Sequence, residues 1–500
     1  MASVSSPPFH CRGLQGGKTR AAEKSFSPAL PQPDRIASSC LCFFLLQLHP
    51  FSGHTFMTLS RFLVACLLAI TFVAHQSDAA SAETARWPQW RGADGHGIAA
   101  GQSLPEHWSK SENVLWRTPL PGRAGATPCI WDDCIYLTSN EGDDLVLLCV
   151  GREKGELLWK QTVTSGNQDA RSGEGNSASP SPSTDGEHVW VFFGTGVLAC
   201  YACDDGDEVW KFNVGDRFGK LDIQFGMTST PVLDGDSLYL QLLHGPMRLD
   251  DQTRIGKVIR LNKTTGETEW EIDRITDAQF ECKHSYASPF LYRDGEREFL
   301  IVHGADCITG HALDDGRELW RFGGLNGPND LNPKPHDGTF RFVASPGFAP
   351  GTIVVPTAKA GPTVCLNVND ELTGDCTGKA SVVRWVLDVT PDVSIPLIAD
   401  GLVYLLHKDG KLQCVDLASG EEVYFERTHT GQHRTSPLLA DGRLYFGSND
   451  GWVSIVKAGR DFDLIESVDL GEQVSSSPIA VDNTLYIRSS DALYAVGTPE

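Results

Sequence analysis

Arg260-Leu261-Asn262-Lys263-Thr264-Thr265-Gly266-Glu267-Thr268-Glu269-Trp270 is the stretch that decides the fold, because its ending recurs. A glycine stands four residues before a tryptophan at Gly155/Trp159, Gly206/Trp210, Gly266/Trp270 and Gly316/Trp320, at intervals of 51, 60 and 50 residues. A period of that size signals a solenoid or a propeller, whereas the 500-residue length alone would suggest two or three ordinary domains.

A second phrase counts better. Thr127-Pro128, Ser181-Pro182, Thr230-Pro231, Ser288-Pro289, Ser345-Pro346, Ile395-Pro396, Ser436-Pro437 and Ser477-Pro478 each open an apolar run, a turn and a β-rich strand. In the seventh copy the turns are Asp441-Gly442, Asp450-Gly451 and Ala458-Gly459. Such pairs tolerate the positive φ of tight hairpins. Four short antiparallel strands per roughly 40–60 residues make a propeller blade, and the phrase that opens one occurs eight times. The proline suits the start of an innermost strand, where its missing N–H matters least.

The expected fold is therefore all-β: an eight-bladed β-propeller of four-stranded antiparallel blades over residues 111–500. Outer strands carry Trp159, Trp210, Trp270, Trp320, Trp385 and Tyr424. The eighth copy ends at Ala495-Val496 with no room for a fourth strand, while Trp116 stands in a strand with no repeat body of its own. The N-terminal strand around Trp116 should thus complete the last blade and close the ring. All seven aromatics are expected to dock neighbouring blades, since such rings bury about 150–250 Å² each.

Residues 57–79 read as a signal peptide: Met57, Arg61, an apolar core of about 12 residues, and small residues for cleavage after Ala79 or Ala82. That core is too short to span a bilayer, so no transmembrane span is expected. Residues 1–56 precede a complete export signal and read as an over-called, disordered leader; residues 80–110 form a lead segment, packed on the outside of the body through Trp87 and Trp90. The chain is expected to be exported, to the periplasm or beyond. Without its first 79 residues it holds 36 Lys/Arg against 61 Asp/Glu, a net charge of −25. That surface repels nucleic acid and anionic lipid.

Ten cysteines follow the signal. Export permits disulfides, whose pairing the sequence leaves open. Cys149 and Cys414 read as small core residues, and Cys200-x-x-Cys203 lies in a strand without a second ligand pair, which disfavours redox or metal chemistry. No Ser-His-Asp, paired-carboxylate or P-loop pattern is readable, so no catalytic residue is assigned.

Residues just before the Ser/Thr-Pro strands should converge on one mouth of the central channel. They include Gln224, Phe225, Lys283, His284, Gln432, His433, Arg434 and Gln473. Two histidines, a lysine and an arginine there could form a cationic spot for a carboxylate or an acidic peptide. The plainer alternative is rim residues that hydrogen-bond to loop carbonyls. His284 and His433 lack an evident third ligand, so no metal is expected.

Taken together, these phrases resemble the pyrroloquinoline-quinone-like (PQQ-like) propeller repeats, whose blade signature is A-x-D-x-x-T-G-x-x-x-W. The stretch 260–270 matches closely, 415–424 repeats it, and 312–320 is a copy two residues short. The resemblance spans about residues 110–500; WD-repeat and kelch signatures are absent. It implies one of two branches. Quinoprotein dehydrogenases hold PQQ and Ca²⁺ on the axis and use an aspartate base. They typically carry adjacent cysteines and long insertions; this chain has no adjacent cysteines. The other branch, which includes the outer-membrane assembly propeller lipoprotein, is non-enzymatic. The expectation is an exported, monomeric, non-catalytic scaffold without a cofactor, recognising a protein segment or small ligand at one rim. The alternative is a quinoprotein-type oxidoreductase binding PQQ and Ca²⁺.

Overall fold

Eight antiparallel sheets follow one another in chain order, and each is opened by one of the Ser/Thr-Pro-type phrases. The computed structural model describes residues 86–171, 175–247 and 255–499, all within one unit, 74–500. The leader, the signal peptide with its cleavage positions, residues 80–85 and part of the 243–257 insertion lie outside the described residues. Blades 1 to 7 occupy 129–165, 183–213, 232–275, 290–322, 347–387, 397–427 and 438–469. Blade 8 is built from Ile479–Val481, Thr484–Arg488, Ala492–Val496 and, as its outer strand, Val114–Pro119. The ring is thus an eight-bladed propeller closed by the N-terminal strand, antiparallel to Ala492–Val496 with Trp116 opposite Ala495.

The two repeating phrases are the two fasteners between blades. On the inside, the Ser/Thr hydroxyl of one blade accepts a hydrogen bond from the backbone N–H at the same position of the blade before it. Thr127 N–H donates to Ser181 Oγ (2.9 Å), Ser181 to Thr230 Oγ1 (3.0 Å), Thr230 to Ser288 Oγ (2.8 Å) and Ser288 to Ser345 Oγ (2.8 Å). Ile395 donates to Ser436 Oγ (3.0 Å) and Ser436 to Ser477 Oγ (2.9 Å). Ile395 has no hydroxyl, so it cannot accept from Ser345. Each such bond contributes about 0.5–1.5 kcal/mol net.

On the outside, each tryptophan lies against the glycine of the next blade. Its Nε1–H reaches the carbonyl three residues before that glycine. Trp116 donates to Arg152 O (2.9 Å), Trp159 to Cys203 O (3.0 Å), Trp210 to Lys263 O (3.0 Å), Trp270 to Leu313 O (3.1 Å) and Trp385 to Leu417 O (2.9 Å). The matching glycines, 155, 206, 266, 316 and 420, have φ of 70–75°, and a Cβ at any of them would come within 2.4–2.9 Å of its neighbours, the docked indole chief among them. Trp320 breaks the series: its Nε1 is buried without a partner, and it stands edge-on to Phe299 of its own blade (5.5 Å). The reason lies in the 367–381 insertion, whose Gly374–Asp375 pairs in parallel with Trp320 and Arg321 as a fifth strand of blade 4. Tyr424 meets Phe462 edge-on (5.4 Å) instead of a glycine.

The lead segment does not pack on the outside of the body. It runs along the free inner edges of the blades, where unpaired backbone groups were available. Arg86–Trp87 pairs with the inner strand of blade 1, Thr184 N–H of blade 2 donates to Pro88 O (2.8 Å), and Leu233 N–H of blade 3 donates to Gln89 Oε1 (2.9 Å). Trp90 stacks on Phe290 of blade 4 (5.8 Å), Arg91 Nη1 donates to Pro437 O of blade 7 (2.7 Å), and Ile98–Ala99 pairs in parallel with Leu439 and Ala440. Trp87 and Arg91 are buried as a result.

Candidate functional site

Two residues before each Ser/Thr-Pro phrase, and before Ile395 in blade 6, stand Gly125, Ser179, Thr228, Tyr286, Val343, Val393, Arg434 and Ser475. All eight line one cavity of about 630 Å³. Because every blade contributes the same position, the cavity lies on the ring axis, at the end where the innermost strands begin. The lead segment follows the same strands farther on, through Ile130, Thr184, Leu233 and Leu439.

Around this ring of eight stand Phe225, Glu281, Arg341, Lys359, Asp392, Lys408 and Gln432. Among the described residues the lining, with Arg434, carries four cations, Arg341, Lys359, Lys408 and Arg434, against two carboxylates, Glu281 and Asp392, with Asp337 beside it on Lys359. The excess is positive in a chain of net charge −22. Arg341 Nη1 bonds Glu281 Oε2 at 2.5 Å, Lys408 Nζ bonds Asp392 Oδ2 at 2.6 Å, and Lys359 Nζ bonds Asp337 Oδ2 at 2.9 Å. The guanidinium of Arg341 lies 5.0 Å from the Phe225 ring centre, and Phe225 lies 6.1 Å from Tyr286. The mouth therefore offers fixed cations beside two aromatic faces, suited to an anionic group with an apolar or planar neighbour.

The residues singled out from sequence are separated by the fold. Phe225, Gln432 and Arg434 line the cavity. Gln224 faces a neighbouring groove with Leu221 and Ile223, and Gln473 a small cleft beside Arg123. Lys283, His284 and His433 are buried. Lys283 Nζ donates to Pro246 O (3.2 Å), His284 Nε2 meets Gly245 O (2.8 Å), and His433 Nδ1 meets Gly431 O (3.0 Å). These three tie loop carbonyls and bring no charge to the mouth. Arg341, Lys359 and Lys408 were not singled out; they lie at varying distances from the repeat phrase, two of them in turns of other blades.

Burial holds the His433 imidazole down to about 4, and it also lowers that of His284. An imidazole in the unfolded chain titrates near 6.5. The unfolded state therefore takes the proton first, and stability falls as pH drops from about 6.5 towards 4, by up to about 1.4 kcal/mol per pH unit for this residue. His433→Gln should flatten that part of an acid-unfolding profile; an unchanged slope would show that the ring is not held neutral by the fold.

A family model described as outer membrane protein assembly factor BamB matches residues 107–241, 143–321 and 304–496. The chain belongs to that family. No curated protein sequence matches it. Among solved structures, BamB from Moraxella catarrhalis superposes with a TM-score of 0.52 at 13% identity, covering 77% of this chain and 97% of that one. The quinohemoprotein alcohol dehydrogenase of Comamonas testosteroni gives 0.57 at 13%, covering 83% and 81%. Another such enzyme, from Pseudomonas putida HK5, gives 0.58 at 12%, with the same coverage. At these identities the likeness shows the PQQ-like propeller fold and does not choose between the two kinds of neighbour. Among the described residues no helix is long and apolar enough to cross a membrane.

Proposed function

We propose that this family member is an exported, non-catalytic scaffold that takes a carboxylate-bearing ligand, such as an acidic stretch of a protein partner, into the mouth of its axial cavity. The observation that carries the reading is the lining itself: among the described residues four cations against two carboxylates, next to Phe225 and Tyr286, on an otherwise acidic chain. A cleft with an excess of one sign concentrates ligands of opposite sign and steers them in. The neighbour BamB belongs, by its family description, to an outer-membrane assembly machinery, which is consistent with a docking role.

The alternative, a quinoprotein-type oxidoreductase, finds poor support in the donor set. Calcium takes six to eight oxygen ligands. The two carboxylates of the cavity are already engaged by Arg341 and Lys408. An ion there would have to displace these pairs, which supports the scaffold reading over the oxidoreductase.

Fluorescence anisotropy with a labelled oligoglutamate peptide tests the reading. The wild-type chain should bind it in a salt-sensitive manner. Replacing both cavity arginines, Arg341→Ala with Arg434→Ala, should weaken binding about tenfold or more, equivalent to about 1.4 kcal/mol. Unchanged affinity in the double variant would defeat the proposal, as would dye-linked alcohol oxidation after loading with PQQ and Ca²⁺.

A further inference from the structure

Beside blade 4, behind the cavity residue Glu281, three segments bring together a thiol, a carboxylate and an imidazole. Cys282 lies on the turn Phe280–Lys283, Asp306 in the hairpin joining Glu298–Gly304 to Cys307–His311, and His336 in the 323–341 insertion. One donor atom from each lies within 4.8 Å of the other two, and His336 Nε2 is 3.8 Å from Asp306 Oδ2. Ligand atoms about 2.0–2.3 Å from a shared tetrahedral ion stand roughly 3.3–3.8 Å apart, so the triangle needs only a small contraction.

Two further observations point to a cation-binding role. Asp306 Oδ1 is buried with no hydrogen-bond partner among the described residues, a costly state for a carboxylate oxygen. Asn326 Nδ2 stands 3.4 Å from both Cys282 Sγ and Asp306 Oδ2, while its Oδ1 accepts from Asp337 N–H (3.1 Å). The amide is thereby fixed with its donor side towards the sulfur and the carboxylate. Metal ligands are commonly steadied by such outer donors.

We propose that Cys282, Asp306 and His336 form a three-ligand site for a borderline-soft divalent metal ion, best matched by zinc. One sulfur, one nitrogen and one oxygen suit Zn²⁺, and a thiolate argues against Mg²⁺ or Ca²⁺. The Cys282 thiol donates to Asp337 O (3.2 Å). Binding replaces that proton by the metal, and the proton passes to solvent. The His336 side chain is 46% exposed, so the cluster can be reached from solvent on that side. The bound ion ties the 323–341 insertion, which also supplies Arg341 to the cavity, to the body of blade 4.

Cobalt titration of the EDTA-treated chain reads the site directly. The expected result is one equivalent of Co²⁺ bound with a sulfur-to-cobalt charge-transfer band, displaced by Zn²⁺. Cys282→Ser should abolish the band. His336→Ala, at an exposed position where folding is not at risk, should weaken Co²⁺ binding at least about tenfold. No band in the wild-type chain, a band that survives Cys282→Ser, or equal affinity in His336→Ala would overturn the assignment.

Discussion

Trp116→Ala is expected to lower the stability of the ring by about 3 kcal/mol, the low end for truncating a large aromatic because the indole is only partly buried. Trp116 is the clasp of the propeller. Its strand completes blade 8, while its ring and Nε1–H belong to blade 1, through Gly155 and Arg152 O. Thr118 Oγ1 adds a bond to Gly155 O at 2.5 Å. Among the described residues no disulfide closes the ring, so loosening this strand exposes the ladder of Ala492–Val496 and the flank of blade 1 together. The reciprocal change is a sharper test. Gly155 has φ +73°, and an added Cβ would lie 2.4 Å from Thr118 Oγ1 and 2.6 Å from the indole. Gly142 has φ +65° and nothing within 4 Å. Gly142→Ala therefore bears only the left-handed backbone cost of about 1–2 kcal/mol. Gly155→Ala bears that and about 1–3 kcal/mol of overpacking. Urea unfolding of the pair isolates the docking contact; equal losses at both positions would show that the indole does not bear on the glycine.

That comparison also shows what a sequence can disclose. The Gly-x-x-x-Trp and Ser/Thr-Pro phrases were legible because each encodes a constraint that recurs at blade junctions: an indole seated on a glycine outside, a hydroxyl accepting from a backbone N–H inside. The strand around Trp116 was legible as the missing part of the eighth copy. Contacts made once leave no such trace. Arg91 reaches Pro437 across 346 residues of sequence, and nothing in the spacing of the lead segment announces its path along the inner edges. The cavity was half legible. Arg434 stands at the repeated position two before Ser436, and the same offset in the other copies gives the rest of the innermost ring. Arg341, Lys359 and Lys408 come from connections of varying length. His284 and His433 drew attention as titratable residues near the mouth, but the backbone turns them into the body, where burial keeps them bonded to carbonyls. The Cys282, Asp306 and His336 cluster joins two turns and an insertion, so its ligand spacing follows no motif.

Arg274→Ala is expected to cost about 3–4 kcal/mol, since it leaves several buried acceptors of a charged donor unpaired. Arg274 stands in the outer strand of blade 3, only 1% exposed, and its guanidinium enters blade 4. Nη1 donates to Gly304 O (3.0 Å), Nη2 to Cys307 O (2.9 Å) and Nε to Thr309 Oγ1 (2.8 Å). Between those carbonyls lie Ala305 at φ 51° and Asp306 at φ 62°, two left-handed residues without the freedom of glycine. The planar fork of Arg274 thus holds a strained hairpin from both sides. Arg274→Lys keeps the charge but cannot span the two carbonyls, and should recover less than half of the loss. Arg274→Met separates bonding from packing: a buried ionic group can sometimes be exchanged for a hydrophobe without loss. If Met is as stable as Arg, the clamp contributes packing alone. If the hydrogen bonds carry the effect, Met resembles Ala. Because Asp306 rides on this hairpin, Arg274→Ala should weaken Co²⁺ binding as well as stability, whereas His336→Ala should weaken binding while leaving the melting temperature of the metal-free chain nearly unchanged. A metal affinity indifferent to Arg274 would mean that Asp306 is placed by the turn itself, without help from blade 3.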